Sequence, residues 1–177
     1  MYRIDTLLKS DQKLFHTQDL ALLWHMSNKN TLYTTIKRYI DKGILIPIHK
    51  GFYSTIPLKL IDPVRLGIGY LHAFGYLSCE SVLAEHGFLF QHSHYLTLIS
   101  NRSTKFQIAG KSYLVRKLAD RYLLNPTGIL VRNGIYQATS ERAIADMMYF
   151  NSHFHFDLRE RVPWKKVKKI RKEVYSI

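Results

Sequence analysis

Asn30, Thr34, Lys37 and Arg38 are amide, hydroxyl and cationic side chains spaced so that a helix gathers them on one side. At about 100° per residue, Leu32, Ile36, Tyr39 and Ile40 fall in the opposite sector and face a core, while Thr31 and Tyr33 flank the polar side. These types suit the edges of base pairs. An Asn amide pairs with both exposed edge atoms of adenine, Lys and Arg reach guanine or phosphate, and a Thr methyl meets that of thymine. A merely solvated face would carry Glu or Asp, and the only acid in this helix is Asp41, near its C-terminal end. Ser27, Asn28 and Lys29 precede the run. His49, Lys50 and Tyr53 follow on a predicted hairpin, its tip placed to touch phosphate. Together these residues make the predicted DNA-contacting set.

Other residues could do chemistry, but none assembles into a catalytic or cofactor site. His92 and His94, and His153 and His155, are two apart, with His86 near the first pair, and an H-x-H on a strand can set two imidazoles to one side of a metal. No Cys or carboxylate completes a ligand set, so they read as loop or surface histidines and no metal is expected. Among the carboxylates Glu80, Glu85, Glu141 and Asp146, the first and third sit in predicted first helical turns, where the helix dipole accounts for them. Ser78, Ser81 and His86 lack an acid to orient a triad. Cys79 at a helix start reads as a buried, inert thiol. Gly67-Ile68-Gly69 lacks the third glycine of a dinucleotide fingerprint and falls inside a predicted helix.

The elements that would position the polar helix follow from periodicity and punctuation. Ile4, Leu7 and Leu8 predict a helix over 2–9, and residues 13–16 are short and extended. Thr17 reads as the cap of a second helix with Leu20, Leu23 and Trp24 at helical spacing. Ser27 reads as the cap of the third, which Gly43 ends. Two β-prone runs, 44–48 and 52–55, flank Gly51 as a hairpin, with Pro47 confined to an edge or bulge. Helix, short strand, helix, turn, helix, hairpin is the winged helix-turn-helix order.

Beyond a linker at 56–62, Asp62 and Pro63 open a fourth helix reaching about Phe74 and stopped by Gly75. Ser78 starts a fifth, 79–86, closed by Gly87. Strands follow at 95–99, 106–108, 112–118, 128–132 and 135–138, the last two joined by Asn133-Gly134, a type I′ turn signal. Ser140 caps a sixth helix, 141–150. Pro163 opens a terminal helix in which Lys165, Lys166, Lys168, Lys169, Arg171 and Lys172 surround Val167, Ile170 and Val174. The apolar spacing lets one face dock while the other stays basic, read first as a second phosphate contact, with a solvated face and then docking on an RNA as the alternatives.

Lys and Arg number 26 against 13 Asp and Glu, a formal charge of +13, which selects polyanions as partners. The excess is +5 over residues 1–60, +3 over 61–156 and +5 over the last 21, so the two ends are basic and the middle is milder. Cys79 is the only cysteine, so no internal disulfide forms, as in a reducing cytoplasm. The first residues lack a signal peptide's apolar stretch, and nowhere are there some 18 consecutive apolar residues, so a cytoplasmic location without membrane association is expected.

Three stretches together resemble the AbiEi-type antitoxins of bacterial type IV toxin–antitoxin, or abortive-infection, systems. They are the predicted winged helix with its hairpin ending Lys50-Gly51-Phe52-Tyr53, the segment Tyr76–Gly87 (YLSCESVLAEHG), and the segment Ala138–Met148 (ATSERAIADMM). The resemblance implies an N-terminal domain that binds inverted repeats in its own promoter and represses it. It further implies a C-terminal domain that opposes a nucleotidyltransferase-like toxin without forming a stable complex with it. The DNA-binding role would fall on the third helix and the wing. The terminal basic helix matches no motif of that family.

The reading is therefore an α+β chain: a winged helix-turn-helix over 1–57, a small mixed α/β domain over 62–160 and a basic helical extension over 161–177. It acts as a DNA-binding transcriptional repressor and antitoxin, not an enzyme, without a cofactor. Two copies are expected on an inverted-repeat operator, as a dimer or as monomers meeting cooperatively on DNA. The alternative is an RNA-binding or toxin-binding interaction module on the same winged fold. A third reading, a nucleic-acid enzyme, has no catalytic set to support it.

Overall fold

The computed structural model describes residues 3–91 and 93–177, and the chain is a mixture of α-helix and β-sheet divided into two compact units, 1–72 and 73–177. In the first unit, α1 (Arg3–Lys9), β1 (Leu14–His16), α2 (Thr17–Leu23) and α3 (Lys29–Asp41) precede a hairpin of β2 (Ile46–His49) and β3 (Phe52–Ser54); α4 (Pro63–Leu71) completes it. The three strands form an antiparallel sheet in the order β1-β3-β2, which leaves Pro47 on an edge beside an irregularity in register, where its missing N–H costs no ladder bond. Tyr2, included in the expected first helix, lies outside the described residues.

The core of this unit gathers Leu7, Phe15, Leu20, Trp24, Leu32, Ile36, Tyr39, Leu45 and Tyr53. Trp24 meets Tyr39 edge-on, with ring centroids 5.3 Å apart. Its indole N–H donates to the Arg3 carbonyl at 3.2 Å, so a polar group in that core is satisfied. Several helix starts differ by one residue from expectation. His16, not Thr17, precedes α2, and its N–H donates to Asp19 Oδ2 at 2.7 Å. Asn28, not Ser27, caps α3, its side chain accepting from the Thr31 N–H at 3.0 Å. In the second unit Thr139, not Ser140, caps the corresponding helix. In each case two adjacent residues had capping chemistry or lay next to it, and backbone direction decided between them.

The boundary between units lies after His72, later than the linker expected at 56–62. α4 belongs to the first unit because it is held there. Gly69 packs so closely that a Cβ on it would stand 2.9 Å from Leu14, and its carbonyl accepts from His16 Nε2 at 2.7 Å. His72 stacks on His16 at 4.3 Å, its Nε2 lying 3.1 Å from Asp19 Oδ1. α4 ends on His72 itself, in a left-handed conformation, and the expected stop at Gly75 falls instead in a strand.

The second unit is a six-stranded sheet with helices. Its strands are β4 (Gly75–Leu77), β5 (Tyr95–Ser100), β6 (Thr104–Ile108), β7 (Lys111–Lys117), β8 (Ile129–Arg132) and β9 (Ile135–Ala138), in the order β6-β7-β5-β4-β9-β8. The pairs β5/β7 and β4/β9 are parallel and the rest antiparallel. Asn133 and Gly134 both take positive φ, as the type I′ turn requires. The helices are α5 (Glu80–Glu85), the single turn α6 (Asp120–Leu123), α7 (Ser140–Phe150) and α8 (Trp164–Tyr175). β4 and α6 were not expected; each is too short to show a period.

α7 carries the polar centre of this unit. Arg142 and Asp146, one turn apart, are both fully buried, with Arg142 Nε donating to Asp146 Oδ1 at 2.7 Å. The remaining guanidinium donors reach the carbonyls of Asn125, Thr127 and Tyr122 and the Tyr76 hydroxyl, so all five N–H positions have acceptors. Asp146 accepts further from Ser78, Tyr76 and Tyr175. Burial acts to lower the Arg142 pKa, but the Asp146 carboxylate outweighs it and holds the guanidinium charged. Burial, then Asp146, pushes the Tyr76 and Tyr175 hydroxyls well above their ordinary range, so both stay protonated donors. Gly128 is required beside this pair: at φ +74°, a Cβ on it would stand 2.8 Å from the Arg142 Cβ.

Tyr175 brings α8 into the network, and Val167 and Val174 bury its apolar face. The terminal helix is thus part of the second unit rather than an extension from it. A second tie is the Lys166–Glu141 ion pair at 3.4 Å. Burial acts to raise the Glu141 pKa, but its own backbone N–H, the Thr139 side chain and Lys166 prevail and hold it below the ordinary 4.5.

Replacing Arg142 with Ala strands a buried carboxylate and is expected to cost about 3–5 kcal/mol in urea unfolding, against about 1 kcal/mol for Tyr175→Phe, which removes one bond. Near-equal losses in the two variants would contradict this. Because the folded Glu141 pKa is depressed, its contribution is full above pH 4.5 and fades as pH falls through the lowered value. The melting-temperature advantage of wild type over Glu141→Gln is expected to shrink over that window. An advantage undiminished at about pH 2 would rule the linkage out.

Candidate nucleic-acid interface

The solvent face of α3 is the most distinctive surface of the first unit. Leu32, Ile36 and Tyr39 are buried and Ile40 is half-buried, so the helix is fixed in rotation with Lys29, Asn30, Thr31, Tyr33, Thr34, Lys37 and Arg38 exposed. Thr35 is also buried; its hydroxyl donates to the Thr31 carbonyl at 2.8 Å, which satisfies it without a tertiary partner. Its place three residues from Leu32 was the available signal for burial. Thr34 bonds back to the Asn30 carbonyl at 2.9 Å, leaving its methyl as the group it offers outward.

Ser27 and Asn28 are exposed at the start of the helix. Asn28 spends its carbonyl oxygen on the cap, so it shapes the helix end rather than standing as a free reader. α3 has no acid in its first turn, and the backbone N–H groups of Lys29 and Asn30, which the Asn28 cap leaves over, lie with the Lys29 side chain in a region that favours anions. Toward the other end, the Arg38 guanidinium lies 5.7 Å from the Tyr39 ring centroid, an aromatic contact that limits its wandering.

The hairpin residues divide. Lys50 and His49 are exposed at the tip, His49 with its ring edge-on to Tyr70 at 5.4 Å. Gly51, at φ +74°, turns the chain, and its carbonyl accepts from the Thr17 N–H at 2.9 Å, anchoring the tip to the start of α2. Tyr53 does not belong to the surface set. It is 8% exposed and packs in the core with Trp24 and Tyr39, because β3 is the central strand, buried at all three of its residues, and Tyr53 stands opposite the core residue Phe15 of β1.

In the second unit, Lys165, Lys166, Lys168, Lys169 and Lys172 are exposed on α8, while Arg171 is half-buried. Lys166 pairs with Glu141, and Lys169 with Glu173 at 3.8 Å. Lys165, Lys168 and Lys172 have no carboxylate partner among the described residues, so three cations remain for an external anion.

The remaining candidates are accounted for by packing. Glu80 pairs with Arg116. Asp146 is the buried acceptor described above. Cys79 is fully buried, and burial, then Asp146 and Glu80, pushes its thiol well above the usual range. Its backbone takes φ 52° and ψ −133°, a costly conformation for a residue other than glycine, at the junction of β4 and α5. Ser78, expected to start the helix, commits its hydroxyl to Asp146 at 2.7 Å, and the cap position falls to Cys79. His86, His94, His153 and His155 are exposed, and His92 lies outside the described residues. Among the described residues no three His, Cys, Asp or Glu come together as a metal-binding group, and no helix is long and apolar enough to cross a membrane.

No protein-family model matches the chain, and no curated protein matches it. Among solved structures, it is similar to the RV2827C protein from Mycobacterium tuberculosis, with a TM-score of 0.54 and 13% sequence identity over 96% of this chain and 69% of that one. At that identity the likeness is one of fold alone.

Proposed function

We propose that residues 3–72 form a winged helix-turn-helix in which α3 reads the major groove, and that the chain is a cytoplasmic, operator-binding transcriptional repressor. The observation that carries this reading is the sorting of α3. Leu32, Ile36 and Tyr39 are buried while Asn30, Thr34, Lys37 and Arg38 are exposed together, with no acid before Asp41. In this reading α2 crosses the backbone, the N-terminal turns of α3 meet base edges, and His49 and Lys50 at the wing tip contact phosphate. The free cations of α8 supply further phosphate contacts, which add affinity without sequence preference.

The resemblance to AbiEi-type antitoxins supports a second role, in which the unit from Ala73 onward opposes a nucleotidyltransferase-like toxin. The two stretches that carry the resemblance in this unit are bonded to one another: Tyr76 and Ser78 from the first, Arg142 and Asp146 from the second. Their co-occurrence thus has a physical reason within one packed unit.

Binding to a duplex from the chain's own promoter is expected to fall about tenfold or more for Arg38→Ala and for Lys37→Ala, with unfolding curves unchanged. The slope of log affinity against log salt should flatten by about one for each phosphate contact removed. Wild-type affinity in both variants would refute the assignment of the groove face. In co-expression with a neighbouring nucleotidyltransferase gene, the Lys37→Ala/Arg38→Ala double variant is expected to lose promoter repression yet still protect growth. Loss of both together would argue against a division of labour between the units.

A further inference from the structure

The two edges of the six-stranded sheet differ in character. β6 shows Lys105 and Gln107 to solvent, the Lys105 ammonium lying 5.6 Å from the Tyr95 ring centroid, and a charged edge strand resists pairing. β8 carries its single charge, Arg132, at its last residue and none within the strand. Its run Ile129-Leu130-Val131-Arg132 contains no proline, its register with β9 has no bulge, and every second residue turns its N–H and C=O away from β9. Leu130 and Val131 are 43% and 58% exposed. Val131 opens onto an apolar hollow of about 270 Å³ lined also by Phe74, Leu124 and Tyr136, all exposed. These four side chains leave on the order of 400 Å² of apolar surface in water, a patch size that marks interaction sites.

We infer that β8 is the edge along which two copies of this chain pair, antiparallel, about a two-fold axis normal to the sheet. Three features select a second copy as the occupant. The first is area: two such patches, with Leu130 and the strand backbone, come to roughly 1,000 Å², the lower bound for a specific interface. The second is charge. Arg132, the only charged residue of β8, stands at its end, so antiparallel pairing sets it against an apolar residue of the second strand and not against its own counterpart. The third is geometry and closure. An axis normal to the sheet puts both apolar patches on one face, where they merge. Because β6 is guarded, pairing consumes the free edge of both copies and stops at two. The inference deepens the repressor reading and rests on it for its purpose, since an inverted repeat presents two half-sites related by the same symmetry.

The test is sedimentation equilibrium of the full chain over roughly 1–100 µM, for wild type and Val131→Lys, beside binding to a promoter inverted repeat and to one half-site. A reversible wild-type dimer is expected, weakened at least tenfold in Val131→Lys, with an unchanged melting temperature and unchanged half-site affinity. A wild type that stays monomeric at the highest concentration overturns the inference and leaves the patch to a different protein or to none. So does a Val131→Lys protein that dimerises as wild type does. If neither protein prefers the inverted repeat, the repressor reading fails, while the sedimentation result still decides the dimer.

Discussion

Burial of Leu32, Ile36 and Tyr39 against Phe15, Leu20, Trp24 and Tyr53 sets the rotation of α3 about its own axis. Side chains on a helix are locked to one another by its 3.6-residue period, so choosing which three go inward also chooses which go outward. Each such buried side chain contributes about 1.5–3 kcal/mol, more than the mild self-repulsion of Lys29, Lys37 and Arg38 on a well-solvated face. The apolar core therefore presents the cations as a group, and the polar face carries little of the helix's own stability. That separation is what a reading surface needs: its residues can be chosen for a target without unmaking the fold.

The second unit is built on a different constraint. Its centre is a charge pair that is expensive to bury and tolerated only because every donor and acceptor is met. Arg142 draws in the backbone carbonyls of three residues before β8, Tyr76 and Ser78 bring β4 and the turn after it, and Tyr175 brings the last helix. Four segments distant in sequence are held by one guanidinium and one carboxylate. The basic helix α8 thereby becomes a rigid part of this unit, presenting Lys165, Lys168 and Lys172 from a defined surface.

The sequence was most informative where a period was long enough to read. α3, α7, α8 and the strands from Tyr95 to Ala138 lie close to their expected places, and the exposed and buried sides of α3 sort as its spacing implied. It was least informative where tertiary partners decide. Tyr53 has the type of a surface aromatic, and its burial follows from its place on the central strand β3, opposite Phe15. Arg142 and Asp146 look like an ordinary solvated pair one turn apart, because their acceptors lie in segments whose convergence no local pattern records. The same holds for α4, whose attachment to the first unit rests on contacts of Gly69 and His72 with β1 and α2. The caps at Asn28 and Thr139 missed their expected positions by one residue for a local reason, since neighbouring Ser and Asn or Thr residues compete on nearly equal terms.

The most direct test of the claim that α3 reads DNA is amide chemical-shift mapping during titration with a duplex from the chain's own promoter, against a scrambled duplex of equal length. The account predicts specific shifts concentrated on residues 29–38, with smaller ones at 49–51, that the scrambled duplex does not reproduce. Promoter-specific shifts confined to other segments, with residues 29–38 unmoved, would contradict it.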